Sequence, residues 1–187
     1  MMSKIKMLLI STITVATIAA VAIGWFYEPK TTVNRPNIEI PTNIDYFLSQ
    51  VQYKSMNEQG NLDFEMQSPY LEHLIVSNIS LIDRPKIQVY RNLNDWQMES
   101  LTGKLFHKQN SLQLEKNVVM HRKGNNPLYV RTEVILFQPE LGLITASEAI
   151  EIKSDTAVIN GSEAIFDLKN RVYSLKNTKA IYNHENS

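Results

Sequence analysis

From Ile44 onward, bulky apolar residues recur at every second position, and that period decides what the chain can become. Successive side chains of a strand point to opposite faces, so alternation marks strands with one buried face. Leu62, Phe64 and Met66 share a face of NLDFEMQ, and Ile87 and Val89 share one in KIQVY. Trp96 with Met98, Leu112 with Leu114, and Ile150 with Ile152 repeat the habit. Between them lie turn clusters: Asn57-Glu58-Gln59-Gly60, Lys123-Gly124-Asn125-Asn126-Pro127, Gln138-Pro139-Glu140 and Lys169-Asn170-Arg171. No stretch beyond residue 43 shows a long helical stripe, so the expected class is all-β.

A loose repeat of about 30 residues runs through this region. Leu105, Leu136 and Phe166 recur at that spacing, as do Leu112, Leu143 and Val172, and Val119, Ile150 and Ile181. Evenly spaced strands in any meander give similar coincidences. On either account the chain is a stack of antiparallel hairpins with two ends.

The first 43 residues differ in kind. MLLISTITVATIAAVAIGWFY, residues 7–27, carries no charge. As a helix at about 1.5 Å per residue it covers roughly 30 Å, the thickness of a bilayer core. Trp25, Phe26 and Tyr27 close it with interfacial aromatics, and Lys4 and Lys6 precede it, which favours a cytoplasmic N-terminus. The expected order is a cytoplasmic tail (1–6), a transmembrane helix (7–27), a proline-bearing linker (28–43) and an exported domain (44–187). Ala20-Val21-Ala22 resembles a cleavage site, which leaves open a processed, soluble form. Thr12, Ala16, Ala20 and Gly24 form a stripe of small residues along one helix face, the spacing that lets membrane helices pack closely.

Composition narrows the function. The chain has 19 basic and 19 acidic residues, which argues against a nucleic-acid partner. It has no cysteine, hence no disulfide, no lipidated cysteine and no thiolate metal site. His73, His107, His121 and His184 lack metal-ligand spacing, and His73 and His121 are expected at strand ends facing solvent. No nucleophile elbow, phosphate loop or dinucleotide fingerprint occurs. Carboxylates are scattered; Glu148 and Glu151 could converge on one site, although Glu on an exposed strand face is far more often a solvated residue. The expectation is a binding protein rather than an enzyme, without cofactor or metal.

Several stretches, in order, carry a resemblance to a known family: DYFLSQVQYKSMNEQGNLDFEMQSPYLEH, DRPKIQVY before WQMES, VRTEVILFQPELGLITASEAIEI, and GSEAIFDL. Behind a short anchor and without cysteine, the set resembles the LptC family of the lipopolysaccharide export machinery. One departure is Ser100-Leu101-Thr102-Gly103, where many relatives carry Ala-x-x-Gly or Ala-x-x-Ala. The resemblance implies an open, twisted antiparallel β-jellyroll in the periplasm, tethered to the inner membrane by a single pass. It implies lipopolysaccharide as cargo, taken from an ABC transporter of LptB, LptF and LptG and passed to an LptA-like bridge protein.

Combined with the alternation, it implies that acyl chains lie against Val51, Tyr53, Phe64, Met66, Ile82, Trp96, Met98, Leu112, Leu114 and Ile152. Half of such a set is ordinary core in any sandwich. The strand edge from 172 to 182, with Val172, Leu175 and Ile181, is expected to pair with the bridge protein, and the edge from 44 to 54 with the LptF jellyroll. Thr12, Ala16, Ala20 and Gly24 are expected to dock the helix between LptF and LptG. Two alternatives remain: a soluble lipopolysaccharide carrier, and an adaptor with a solid core that binds no lipid.

Overall fold

Pro69 sits inside a 13-residue strand, β2 (Leu62–Leu74), and marks the line along which the whole sheet bends. On the N-terminal side of Pro69, residues Phe64–Gln67 pair with β4 (Lys86–Val89). On the C-terminal side, Tyr70–Leu74 pair with β3 (Ile79–Asp83). Proline has no N–H for a ladder, and it falls in the gap where the partner changes. The computed structural model in which this is seen describes residues 43–90, 95–124 and 126–182. The expected tail, transmembrane helix and most of the linker lie outside those residues. Among the described residues no helix is long and apolar enough to cross a membrane.

The same change of partner recurs along the chain. Strand β7 (Ser111–Arg122) pairs with β6 (Thr102–Phe106) through its first half and β5 (Trp96–Glu99) through its second. Strand β8 (Leu128–Gln138) pairs with β10 (Ile150–Lys153), then with β9 (Leu143–Ala146). β1 (Ile44–Met56) follows β2 across both halves. With β11 (Ala157–Gly161), β12 (Glu163–Asp167), β13 (Val172–Lys176) and β14 (Lys179–Tyr182), one 14-stranded antiparallel sheet folds into two layers. Layer one runs β1-β2-β3-β6-β7-β8-β9-β12-β13, and layer two runs β1-β2-β4-β5-β7-β8-β10-β11-β14.

The fold line, or spine, is built from special backbone and from hydroxyls. Gln50, Arg84, Lys116, Asn117 and Asn177 take positive φ there, and β7 bulges between Glu115 and Val118. Where the chain crosses from layer two to layer one it carries Ser68, Ser100, Thr132 or Ser162. Ser68 Oγ lies 2.6 Å from the Asp83 carbonyl, Ser100 Oγ donates to the Thr102 carbonyl (2.8 Å), and Thr132 Oγ1 donates to the Ala149 carbonyl (3.0 Å). A ladder that changes partner leaves carbonyls without N–H groups, and buried carbonyls need donors. Ser100 thus supplies a donor where the ladder changes partner.

The repeat is real in period but not in the positions chosen to show it. Phe166 points inward and is buried, whereas Leu136 alternates with the inward Ile135 and Phe137 and so points outward. Leu112 is inward, while Val172 is exposed on the outer face. In β2 and β8 crossing the spine shifts the alternation by one: in β2 the inward series is Phe64, Met66, Ser68, then Leu71 and His73, and in β8 it is Val130, Thr132, then Ile135 and Phe137. A register slip of one residue flips every side chain, so fixed-spacing alignment across a spine mixes faces.

Candidate functional site

The inner faces of the two layers meet in one apolar cluster. Layer two contributes Phe64, Met66, Ile87, Trp96, Met98 and Met120 among others; layer one contributes Ile82, Leu112, Leu114, Ile135, Phe137 and Phe166. Most are almost fully buried, so side chains fill the interior. Eight of the ten residues expected against acyl chains belong to this cluster: Phe64, Met66, Ile82, Trp96, Met98, Leu112, Leu114 and Ile152.

The other two, Val51 and Tyr53, occupy inward positions of β1, opposite Ser68 and Met66. Val51 packs against the cluster, but Tyr53 is 51 % exposed. The cause is topological. Among the described residues β1 pairs with β2 alone, and no further strand covers the inner face beyond it. Tyr46 (41 % exposed) and Leu48 (47 %) are the corresponding inward residues of its layer-one half. The interior therefore ends in an apolar mouth at the β1 edge.

Opposite the spine, the layers end in hairpin turns that form two lips. Layer one turns at Asn78, Asn110, Gly142 and Arg171, all with positive φ; layer two turns at Gly60 and Gly124. Among the described residues no backbone ladder joins the lips. Aromatic rings bridge them instead. Phe64 meets Phe137 edge-on at 5.6 Å, and Trp96 meets Phe166 at 5.6 Å and Tyr173 at 6.1 Å. The jellyroll is open in its backbone hydrogen bonding, yet the gap between its lips is closed by side chains. Such contacts are worth about 0.5–1.5 kcal/mol each beyond burial, far less than a strand ladder.

At the far end, among the described residues, β13 pairs with β12 alone and β14 with β11 alone. Val172 and Ile181 point outward and are exposed, as expected of edge residues. Leu175 instead lies opposite Ala164 and packs against the core, so its side chain faces the interior rather than a neighbour. Thr12, Ala16, Ala20 and Gly24 lie outside the described residues.

One histidine expectation needs revision. His73 is buried, not solvent-facing: its ring stacks on Tyr46 (4.9 Å), meets His107 edge-on (5.0 Å) and its Nδ1 lies 3.3 Å from Ser80 Oγ. The β1 strand, absent from any local reading of residue 73, is what covers it. His121 is half-buried under a stack with Tyr129 at 4.3 Å. Desolvation, followed by the neighbouring His73, pushes the His107 imidazole below its usual range.

Glu148 is exposed, and Glu151 faces outward opposite Arg131, so the pair makes no acid–base site. Among the described residues no three metal-ligating side chains converge.

The spine hydroxyls were missed by sequence reading, although Ser68, Ser100, Thr132 and Ser162 recur about every 30 residues. Apolar residues are the signal usually sought, and here the polar positions carried the cleaner period.

Comparison with known proteins agrees with this geometry. The family model described as "Lipopolysaccharide-assembly, LptC-related" matches residues 12–183. No match is found among curated protein sequences. Among solved structures, the chain is similar to LptH of Pseudomonas aeruginosa, described as the LptA homologous periplasmic component of the conserved lipopolysaccharide transport device. That likeness has a TM-score of 0.52 at 6 % identity, over 63 % of this chain and 93 % of LptH, and it shows the shared fold.

Proposed function

Because the chain belongs to the LptC-related lipopolysaccharide-assembly family, we propose that it is the membrane-anchored segment of a lipopolysaccharide conduit. In this reading residues 7–27 hold it in the inner membrane and the β domain stands in the periplasm. The domain takes lipopolysaccharide from an LptB/LptF/LptG transporter and hands it to an LptA-like bridge protein. The protein does no chemistry on its cargo; energy comes from the transporter.

One observation carries the proposal. An apolar interior runs the length of a folded sheet whose two ends, β1 and the β13/β14 pair, are unpaired edges among the described residues. Unpaired edges are templates for strand addition. Jellyrolls joined edge to edge would make their interiors continuous. Acyl chains would then move from one to the next without meeting water, which costs about 0.8 kcal/mol per exposed CH₂.

The interior is filled by side chains in this state, so cargo must part the lips to enter. The aromatic bridges are suited to this, being separable without breaking a ladder. A photo-crosslinking residue at Val51, inward at the mouth, is expected to label lipopolysaccharide in membranes when the transporter hydrolyses ATP. One at Gln52, on the outer face, is not. Equal labelling at both positions would favour the solid-cored adaptor. Release of a mature chain beginning after Ala22 would favour the soluble carrier.

A further inference from the structure

Arg122 ends the inward row Val118, Met120, Arg122 of β7, placing a cation at the lip of an apolar interior. It is half-buried and lies opposite Trp96 in the ladder. Its guanidinium carbon is 6.0 Å from the Trp96 ring centroid and 5.7 Å from that of Tyr173. Tyr173 belongs to the facing layer, and Arg122 Nη1 donates to its hydroxyl at 3.2 Å. Nε and Nη2 both donate to the Asn126 carbonyl, at 3.2 and 2.5 Å.

All of these partners are neutral. Among the described residues no carboxylate forms an ion pair with Arg122. A guanidinium stays charged at any physiological pH, and of its five N–H groups these three bonds leave two unused. A half-desolvated cation is ordinarily matched by an anion, and a planar fork matches phosphate or carboxylate. The position is that of the headgroup of an amphiphile whose tails lie between the layers.

We propose that Arg122 anchors a phosphorylated headgroup of the lipid whose acyl chains enter between the lips. This rests on the conduit reading and deepens it. The anion would compete with Tyr173 for the guanidinium, so engaging the headgroup would loosen a bond that holds the lips together. Headgroup capture and admission of the tails would be one event.

The test uses the full-length chain in mild detergent and two radiolabelled probes: lipid A with its phosphates, and the same lipid with its phosphates removed. Arg122→Gln is expected to weaken binding of the phosphorylated lipid about tenfold or more and leave the dephosphorylated lipid unchanged. Arg122→Lys should recover part of the loss. Tyr173→Phe, which removes the lip bond but keeps the cation, should retain the preference for phosphate. Equal losses for both lipids in Arg122→Gln, or no loss, would overturn the assignment. Displacement of lipid A by millimolar inorganic phosphate would overturn it in favour of a free-anion site. Failure of the unaltered protein to bind either lipid would remove the conduit reading itself.

Discussion

Ser80 Oγ lies 2.9 Å from His107 Nε2 and 3.3 Å from His73 Nδ1, so a single fully buried hydroxyl links two imidazoles, one in β2 and one in the short 3-10 turn (His107–Gln109) that follows β6. The hydroxyl has one proton to give. One imidazole nitrogen can accept it, and the other must then donate. Both rings can be neutral in this arrangement. Two cationic rings at 5.0 Å would repel each other.

This predicts how stability responds to acid. Desolvation and the neighbouring His73 lower the His107 pKa in the folded chain, so the unfolded chain binds protons more readily. The contribution is therefore complete above the unfolded value of about 6.5 and is lost as pH falls through the folded value. Urea midpoints at pH 7.5 and 5.5 should fall further in the unaltered protein than in His107→Gln. An equal fall in both would show that His107 is not the titrating group.

The spine offers a second prediction. Thr132 is buried, and its hydroxyl donates to the Ala149 carbonyl beside the switch from β9 to β10. Thr132→Val keeps the shape and leaves that carbonyl without this donor, at a cost of about 1–3 kcal/mol. Thr132→Ser should recover most of the loss. The measurement is chemical denaturation, and a neutral valine would mean that another donor reaches Ala149.

How far the sequence revealed this fold follows from the same residues. Period-two alternation located Phe64, Met66, Trp96, Met98, Leu112 and Leu114, because within one half-strand the inward face is periodic. It did not reveal that β2, β7 and β8 each serve two layers, since the pattern merely shifts by one at Pro69 in β2 and between Thr132 and Ile135 in β8, and keeps its parity across the Lys116-Asn117 bulge of β7. Nor did it distinguish Tyr53 from Phe64, which face the same way; their exposure differs because β1 is the last strand among the described residues. Arg122 escaped notice because a cation at the end of a strand looks like a solvated residue. Only the inward parity of Val118 and Met120 hinted otherwise.

Two turn glycines separate backbone strain from crowding. Gly60 (φ +79°) and Gly142 (φ +69°) both occupy left-handed conformations, which cost a residue with a Cβ roughly 1–2 kcal/mol. A Cβ at Gly60 meets nothing within 4 Å, whereas at Gly142 it comes within 2.7 Å of Lys169 Cγ. Gly142→Ala should therefore destabilise more than Gly60→Ala. Because the obstacle is a flexible side chain, Lys169→Ala introduced with Gly142→Ala should bring the two costs together. If the excess persists, the backbone of that lip turn, and not Lys169, sets the penalty.

The last prediction concerns the C-terminal edge. Val172 and Ile181 face outward on β13 and β14, each of which has one neighbouring strand among the described residues. Neither side chain contributes to the core, so Val172→Lys with Ile181→Lys should change stability by no more than about 0.5 kcal/mol each. Lysine on an exposed edge is a common way of discouraging strand addition. The pair should therefore weaken capture of an LptA-like bridge protein by the full-length chain while leaving lipid A binding intact. Leu175→Ala makes the contrast, because Leu175 packs inward and its loss should lower stability instead. Capture unaffected by the lysines would place the bridge contact away from this edge, and a loss of lipid A binding would mean that the edge shapes the interior as well.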